Sequence, residues 1–302
     1  MARAFFDKLE AILRPTPKIR IENFERDPKV SYVSSNSPLS QGPLGSEIAR
    51  TGRLNSNEFA ACIEELNLPH THHRKYWELA FILQALRERD LLQPGIKGLG
   101  FAVGKERIPA YLAAKGCEVL ASDLADNNKG NEGWETTGQW SASVEDLLFS
   151  EICSKELFKK SVKFRPIDMN DIPSDISGYD FTWSTCSFEH CGSLELGVRF
   201  LEKQMDCLRP GGVAVHTTEF NLSSNTRSSK GGKTAIYRLR DIEDAVKRLQ
   251  SKGHKVEPLD IRLGDDPLDL TVDRRKGDPR QYSGTKHMRL LMKGYVTTSI
   301  GL

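Results

Sequence analysis

The stretch Gly-Leu-Gly-Phe-Ala-Val-Gly at positions 98–104 decides the fold, because it stands where an apolar strand ends and a helix begins. Residues 98–101 are predicted to end the strand, and residues 105–115 to form a helix that Gly116 terminates. Such a turn directs the backbone N–H groups of the helix N-terminus at a ligand above the strand. Gly100 and Gly104 carry no Cβ, so a ligand can approach the backbone closely. The stretch therefore predicts a strand–loop–helix unit that binds a nucleotide-like ligand.

The chain beyond this unit continues the alternation of strands and helices. The predicted strands are residues 118–122, 162–166, 180–183, 213–217, 255–261 and 287–298. The predicted helices are residues 144–157, 194–208 and 241–252, and residues 223–233 are predicted to be a loop. Alternation of this kind is typical of a parallel sheet with helices on both faces.

The region before the loop has a different character. Residues 1–56 are rich in Pro, Ser, Asn and Gly, which predicts an extended, partly mobile arm. Residues 57–93 show helical spacing of apolar positions and are predicted to form a helical cap. His70, His72 and His73 are predicted to lie in a solvated turn of this cap. A single α/β domain is then predicted over residues 94–302.

Composition and charge limit the possible partners and compartments. The 302 residues are 38% hydrophobic and 28% charged with a formal net charge of +2, so nothing favours a nucleic-acid partner. No run approaches the ~20 apolar residues that a membrane span needs. Residues 1–14 lack the apolar core of a signal peptide. The six cysteines form no Cys-x-x-Cys pair, which favours a reducing compartment. We expect a cytoplasmic protein.

Two further features sharpen the expectation for the glycine loop. Asp123 ends the next predicted strand, 19 residues after Gly104, where a carboxylate can accept hydrogen bonds from ribose hydroxyls. The segment Leu-Arg-Pro-Gly-Gly at positions 208–212 precedes the fifth predicted strand.

These elements together resemble the class I S-adenosylmethionine-dependent methyltransferases over about residues 95–220. The resemblance also rests on Asp168-Met169, on Tyr-Asp-Phe-Thr-Trp-Ser at 179–184 and on Ser-Phe-Glu-His at 187–190. It implies an α/β fold with a Rossmann-like, mostly parallel seven-stranded sheet whose last strand is antiparallel. The closing hairpin would join residues 255–261 to residues 287–298. It implies S-adenosylmethionine as the cofactor.

The resemblance also implies roles for individual residues. Gly100 and Gly104 would lie against the methionine part of the cofactor, Asp123 would hold the ribose, and Ser184 would lie beside the sulfonium. Asp168 would accept from the adenine amino group, and Met169 would pack near the ring. The full set of implied cofactor residues is Gly98, Gly100, Phe101, Gly104, Asp123, Leu124, Asp168, Met169 and Ser184.

The glycine loop departs from the family pattern at two positions. Gly98 stands where an acidic residue is frequent, so Glu106 or Glu78 would have to hold the cofactor's amino group instead. Ala102 stands where a glycine is frequent, which the loop tolerates if Ala102 has a negative φ.

Candidate catalytic residues follow the fourth predicted strand, at the sheet edge where open α/β folds bind ligands. His190 is the first candidate general base, since an imidazole suits proton removal from an alcohol near neutral pH. Glu189 is a candidate base, orienting group or cofactor contact. Alternatively, this pair caps the following helix. His216, Glu219 and Asn221 leave the fifth strand at the same edge and are predicted to line the substrate pocket.

A divalent metal held by His190, His216 and Glu219 is a weaker alternative, because their spacing is not a metal motif. We therefore expect no metal. The predicted reaction transfers a methyl group to a hydroxyl, or less readily an amine, of a small-molecule or sugar-like acceptor. The Tyr-Val-Thr-Thr-Ser ending at 295–299 suggests a glycan or secondary-metabolite pathway. Three alternatives stay open: a nucleotide-dependent enzyme such as an NAD-dependent oxidoreductase or epimerase, a protein or nucleic-acid methyltransferase, and a non-catalytic cofactor-binding scaffold.

Overall fold

The computed structural model describes residues 19–20, 43–124, 143–274 and 287–302. Its strands are Ile19–Arg20 (β1), Ser46–Ile48 (β2), Lys97–Gly100 (β3), Glu118–Ala121 (β4), Val162–Phe164 (β5), Tyr179–Ser184 (β6), Leu208–Asn221 (β7), Leu259–Asp260 (β8), Thr271–Arg274 (β9), Arg289–Met292 (β10) and Tyr295–Gly301 (β11). Its α-helices are Thr51–Leu54 (α1), Asn57–Glu65 (α2), Arg74–Arg87 (α3), Ile108–Ala114 (α4), Lys155–Ser161 (α5), Leu194–Lys203 (α6) and Leu239–Ser251 (α7).

Five parallel strands form the centre of the sheet, in the order β5-β4-β3-β6-β7. The last strand, β11, runs antiparallel to β7, and β10 runs antiparallel to β11 on its other side. The prediction of a mostly parallel α/β sheet with an antiparallel last strand is therefore confirmed. Seven strands make up this central order, and β9, β1, β2 and β8 extend the sheet beyond it to eleven described strands.

The closing hairpin differs from the sequence-based prediction. It joins β10 to β11 through Lys293 and Gly294, whose φ angles are +50° and +83°. Two residues with positive φ suit the tight turn of a β-hairpin, so the predicted long strand 287–298 is divided there. The predicted pairing of residues 255–261 with residues 287–298 is wrong, because only Leu259–Asp260 is a strand and it pairs with β2.

The segment just before the helical cap also belongs to the sheet. Ser46–Ile48, which the sequence analysis placed in the extended arm, is a buried strand paired with both β11 and β8. The predicted cap helices are present as α2 and α3, and α3 packs on β7 and β11. The division into arm, cap and 94–302 domain stays a prediction.

Some helices are shorter than their patterns predicted. Residues 144–157 are not one helix: a 3₁₀ turn, Val144–Leu147, is followed by α5, which begins only at Lys155. The hydroxyl of Ser154 accepts a hydrogen bond from the N–H of Leu157, so this residue is an N-cap inside the predicted helix. The predicted helix 194–208 ends as α6 at Lys203 and continues as a 3₁₀ turn, Gln204–Cys207.

Aromatic side chains fill two buried layers, which are assigned to separate hydrophobic clusters. One contains Trp77, Phe81, Tyr111, Phe181 and Trp183. The other contains Phe101, Phe188, Phe200, Phe220 and Tyr237. All six cysteines are buried free thiols. None of the helices in the described part of the chain combines the length and apolar character that a membrane crossing requires.

Candidate active site

The glycine loop leaves β3 with a left-handed backbone at two positions. Ala102 has a φ of +48° and Gly104 a φ of +52°. The condition for tolerating Ala102, a negative φ, is therefore not met, and this alanine occupies a conformation that favours glycine. The N–H of Gly104 donates to Asp123 Oδ2 at 3.1 Å, and the N–H of Leu124 donates to Asp123 Oδ1 at 2.9 Å. The loop and the predicted ribose-binding acid thus lie in direct contact.

Two glycines of the stretch are required by packing within the sheet. A Cβ added to Gly98 would lie 2.4 Å from the ring of Phe181, and one added to Gly100 would lie 2.3 Å from the ring of Trp183. The frequent acid of the family pattern has no room at Gly98. The side chain of Phe101 packs in the second aromatic layer, edge-on to Phe200 at 5.1 Å between ring centroids. The side chain of Phe101 therefore belongs to the core, and only its backbone is left to contact a ligand at the loop.

Glu106 lies just beyond the loop and beside its aromatic support. Its Oε1 accepts a hydrogen bond from Trp183 Nε1 at 2.7 Å. Desolvation raises the pKa of this carboxyl to about 7, and the charges of Asp123 and Glu78 act in the same direction. Glu106, named from the sequence as a substitute for the missing acid, is thus a half-buried carboxyl whose pKa lies near neutral pH.

The predicted adenine-binding pair lies at the same edge of the sheet. The N–H of Ile167 donates to the carbonyl of Asp123 at 2.9 Å, which ties the segment after β5 to the end of β4. Asp168 is half-buried, and its Oδ1 accepts from the N–H of Asn170 at 2.8 Å. Met169 is 9% exposed and packs in the second hydrophobic cluster.

Ser184, the last residue of β6, and His216, inside β7, form a buried pair. Ser184 Oγ lies 2.8 Å from His216 Nδ1. The imidazole meets the rings of Phe188 and Phe200 edge-on, and desolvation lowers its pKa to about 3. The structure therefore does not bring His216 to the ligand edge, because its ring is a neutral part of the core.

Glu189 and His190 lie in a 3₁₀ turn, Phe188–His190, next to the glycine loop. The hydroxyl of Ser187 connects the two, since it contacts the carbonyl of Ala102 at 3.4 Å. Glu189 is 1% exposed; its Oε2 accepts from Thr218 Oγ1 at 2.9 Å, and burial raises its pKa. Its Oε1 has no hydrogen-bond partner of standard geometry among the described residues.

The ring of His190 is oriented by a backbone group. Its Nδ1 lies 2.5 Å from the carbonyl of Lys233, so Nδ1 carries the proton and donates it. In that tautomer Nε2 is the ring's acceptor atom. Nε2 lies 3.8 Å from Glu189 Oε1, and the side chain of His190 is 23% exposed. His190 thus combines access to solvent with a fixed orientation.

Glu219 and Asn221, the other two predicted substrate residues, use their polar side-chain atoms in contacts within the protein. Glu219 pairs through both carboxylate oxygens with the guanidinium of Arg74. Asn221 Oδ1 accepts from Ser223 and Ser224, and its amide nitrogen donates to the carbonyl of Arg227 at 3.1 Å. Asn221 therefore shapes the 223–233 loop, and Glu219 connects β7 to α3.

Of the residues around this edge, Cys186 was not identified from the sequence. Cys186, Glu189 and Glu219 are buried together, with potential ligand atoms within 4.8 Å of one another. Lys75 Nζ pairs with Glu78 Oε2 at 3.1 Å on the first turn of α3. Cys186 has the positive φ of +49°, a strained conformation for a residue with a Cβ, and no sequence pattern marks it.

The predicted solvated turn holds one buried histidine. His73 is 6% exposed and its ring centroid lies 4.1 Å from that of buried His287. Desolvation lowers the pKa of His73 to about 2 and that of His287 to about 3. The prediction is wrong for His73, which forms an isolated β-bridge with His287, 214 positions further along the chain.

Comparisons with known proteins give structural similarity only. No family model matches the chain, and no curated protein matches its sequence. The cyclase SpnF is similar at 14% identity and a TM-score of 0.39, over 55% of this chain and 57% of that one. A protein of Galdieria sulphuraria described as a putative sarcosine dimethylglycine methyltransferase is similar at 17% identity and a TM-score of 0.36, over 58% and 59%.

A third solved structure is an S-adenosylmethionine-dependent methyltransferase of Thiobacillus denitrificans in complex with S-adenosylhomocysteine. It shares 19% identity and a TM-score of 0.34, over 48% of this chain and 49% of that one. The chain thus spans about half to three fifths of the solved chains that it resembles.

Proposed function

We propose that this protein is an S-adenosylmethionine-dependent methyltransferase. The observation that carries the proposal is the bond from the Gly104 N–H to the Asp123 carboxylate, at the point where the strand order of the sheet changes direction. Strands β4 and β5 lie on one side of β3, and β6 and β7 on the other. Open α/β sheets bind their ligands in the crevice at this switch point, outside the carboxyl ends of the strands.

The residues at this crevice fit the proposed cofactor chemically. Asp123 offers carboxylate oxygens to a ribose, and Asp168 offers an acceptor to an adenine amino group. Glu106 is the candidate partner of the cofactor's amino group, because Gly98 cannot carry a side chain beneath Phe181. When bound, S-adenosylmethionine supplies a methyl group on a sulfonium, which makes the carbon electrophilic.

The protein's own groups would align the acceptor and remove its proton. Alignment of the two reacting groups lowers the activation barrier by roughly 7–11 kcal/mol. A positioned base increases the rate by a further ~10²–10⁴-fold. His190 Nε2 is the proposed proton acceptor, because the Lys233 carbonyl fixes the tautomer that leaves Nε2 unprotonated. Buried Glu189, 3.8 Å away, would stabilise the imidazolium that results. The acceptor proton therefore ends on Nε2.

The proposed acceptor is a hydroxyl, or less readily an amine, of a small-molecule or sugar-like compound. A hydroxyl fits best because an alcohol needs a base to lose its proton, and His190 provides one with 23% of its side chain exposed. The near-neutral charge of +2 favours neither nucleic acid nor a basic peptide groove. We propose a cytoplasmic location.

Calorimetric titration of the purified chain tests the cofactor. S-adenosylmethionine and its demethylated product should bind at micromolar concentration, and Asp123→Ala should abolish binding. Glu118→Ala, in which an exposed carboxylate is removed at the opposite end of β4 from Asp123, is the matched control and should bind normally. Binding of NAD alone would contradict the proposal.

The rate of methyl transfer by His190→Ala tests the proposed base. A rate within a few-fold of wild type would show that His190 is not the base.

A further inference from the structure

We infer that Cys186, Glu189 and Glu219 form a binding site for one Zn²⁺ ion. Cys186 follows β6, Glu189 lies in the 3₁₀ turn after it, and Glu219 lies in β7. Each offers one ligand atom, and these atoms lie within 4.8 Å of one another. Binding of the ion itself does not depend on the proposed methyltransferase activity.

The unpartnered oxygen of Glu189 is the observation that points to a ligand. Glu189 is 1% exposed, and its Oε1 finds no hydrogen-bond partner of standard geometry in the described part of the chain. A buried polar atom without a partner is costly, so native proteins seldom keep one. A cation coordinated by Oε1 would satisfy it.

A second residue orients the side chains of Glu189 and Glu219 and fixes the backbone of Cys186, as is usual for metal ligands. Thr218 Oγ1 donates to Glu189 Oε2 at 2.9 Å and leaves Oε1 toward the cluster. Arg74 holds Glu219 through both oxygens. The backbone of Cys186 is fixed by its N–H, which donates to the carbonyl of Thr217 at 3.0 Å and to its hydroxyl at 2.9 Å.

The guanidinium on Glu219 does not exclude a metal. A carboxylate offers about four lone-pair sites, and a bidentate arginine uses two of them. Cys186 Sγ lies 3.9 Å from Glu219 Oε1. The corresponding separation in a tetrahedral zinc site is roughly 3.5 Å, from Zn–S and Zn–O bonds of about 2.3 and 2.0 Å. A movement of a few tenths of an ångström therefore completes this edge of the tetrahedron.

The ligand chemistry and the local charge both favour zinc. A thiolate with carboxylates suits Zn²⁺, whereas Mg²⁺ and Ca²⁺ prefer oxygen ligands alone. With Cys186 as thiolate, the three ligands and nearby Glu78 carry four negative charges, and the adjacent cations Arg74 and Lys75 carry two positive ones. One divalent ion makes the cluster neutral.

Three protein ligands leave the fourth tetrahedral position open. Because Glu189 immediately precedes His190, a group bound at that position would lie near the proposed base. An acceptor hydroxyl coordinated there would lose its proton more readily, as metal-bound water does. This role of the ion, unlike its binding, rests on the proposed function.

Cobalt titration of the metal-free chain tests the site without any cofactor. The purified protein is stripped with a chelator and titrated with Co²⁺ alone while thiolate-to-cobalt absorption in the near ultraviolet is recorded. We expect one Co²⁺ per chain, complete displacement by one equivalent of Zn²⁺, and loss of the absorption in Cys186→Ser. Cys191→Ser removes a buried thiol outside the cluster and should keep the absorption.

A second variant distinguishes loss of the metal site from misfolding when metal binding is lost. Thr218→Val keeps the shape of the side chain but removes its hydrogen bond to Glu189, and should weaken Zn²⁺ binding about 10–100-fold. Far-ultraviolet circular dichroism of each metal-free variant must match wild type. No absorption in wild type, or equal absorption in Cys186→Ser, would overturn the site. Zinc binding without S-adenosylmethionine binding would overturn only the proposed function.

Discussion

Arg74 and Glu219 form a fully buried bidentate pair that joins the first turn of α3 to β7. The two residues are 145 positions apart in the chain. Their side chains are only 4% and 6% exposed, so each charge depends on the other for stabilisation. The pairing holds the pKa of Arg74 above its usual value, and it lowers that of Glu219 although burial opposes the shift.

Removing one member of this pair should destabilise the protein strongly. Arg74→Met keeps much of the side-chain volume but leaves Glu219 buried without its partner. The expected loss is about 3–5 kcal/mol in the free energy of unfolding, measured by urea denaturation. Lys203→Met removes one member of an exposed pair, with Asp206, and should leave the midpoint unchanged. An unchanged midpoint in Arg74→Met would show that the pair does not stabilise the fold.

This pair also marks a limit of what the sequence can predict. The strand–loop–helix at residues 98–116 is local, so glycine positions and apolar spacing were sufficient to place it. The contact between Arg74 and Glu219 depends on how α3 crosses the sheet, and neither residue carries a local signal of that crossing. Glu219 was predicted to line the substrate pocket, whereas the structure gives both its oxygens to a guanidinium.

The closing hairpin shows the same limit within the sheet. The sequence analysis predicted a long last strand over residues 287–298, and the β-branched residues that favour a strand lie in its second half, at positions 296–298. The two-residue turn at Lys293 and Gly294 divides it, and lysine is not a residue that usually marks such a turn. Strand identity was thus predictable, but strand pairing was not, since β2 and β8 are too short to show a pattern.

The left-handed backbone of Ala102 predicts a stabilising substitution. Ala102→Gly places a residue without Cβ at a φ of +48° and should raise the free energy of unfolding by about 1 kcal/mol. Ala61→Gly, inside helix α2, is the control of opposite sign and should lower it by roughly 0.5–1 kcal/mol. Thermal and urea denaturation of both variants measure the difference. Equal destabilisation of the two would show that Ala102 is not strained.

The packing of Gly98 beneath Phe181 predicts that this position does not tolerate an acidic side chain. A Cβ at this position would lie 2.4 Å from the aromatic ring, so Gly98→Ala should cost about 1–3 kcal/mol by overpacking. Gly98→Asp should cost more, because it also buries a charge. Gly98→Ala with Phe181→Leu should recover part of the loss, which a double-mutant cycle in urea measures. Additive losses would contradict the proposed contact.

Three buried histidines predict a specific form of acid sensitivity. Burial lowers the pKa of His73 to about 2 and those of His216 and His287 to about 3, against an ordinary value of 6.5. The unfolded chain therefore binds more protons than the folded one below pH 6.5. Stability should be unaffected by these residues above that pH and should fall as pH decreases, by about 1.4 kcal/mol per pH unit for each histidine.

Urea denaturation between pH 7 and pH 4.5 measures this slope. His216→Asn should flatten it by the share of one histidine, whatever its effect on stability at pH 7. Replacing the exposed His70 with Gln should leave the slope of wild type unchanged. A slope in His216→Asn equal to that of wild type would mean that His216 is able to take up a proton in the folded protein.

Glu106 predicts that cofactor binding releases a proton. Its pKa of about 7 lies above the ordinary 4.5, so the folded protein without ligand keeps most of its Glu106 protonated at pH 6. If the carboxyl accepts the cofactor's ammonium group, it must ionise, and close to one proton should leave per S-adenosylmethionine bound. At pH 9, where Glu106 is already ionised and the cofactor's α-amino group, with an ordinary pKa of about 8, is largely neutral, binding should instead take up protons. Calorimetry in two buffers of different ionisation enthalpy counts the protons.

Glu106→Gln should abolish the proton release at pH 6, whereas Glu145→Gln, which changes an exposed residue before α5, should retain it. Equal release in wild type and Glu106→Gln would assign the amino group to another partner.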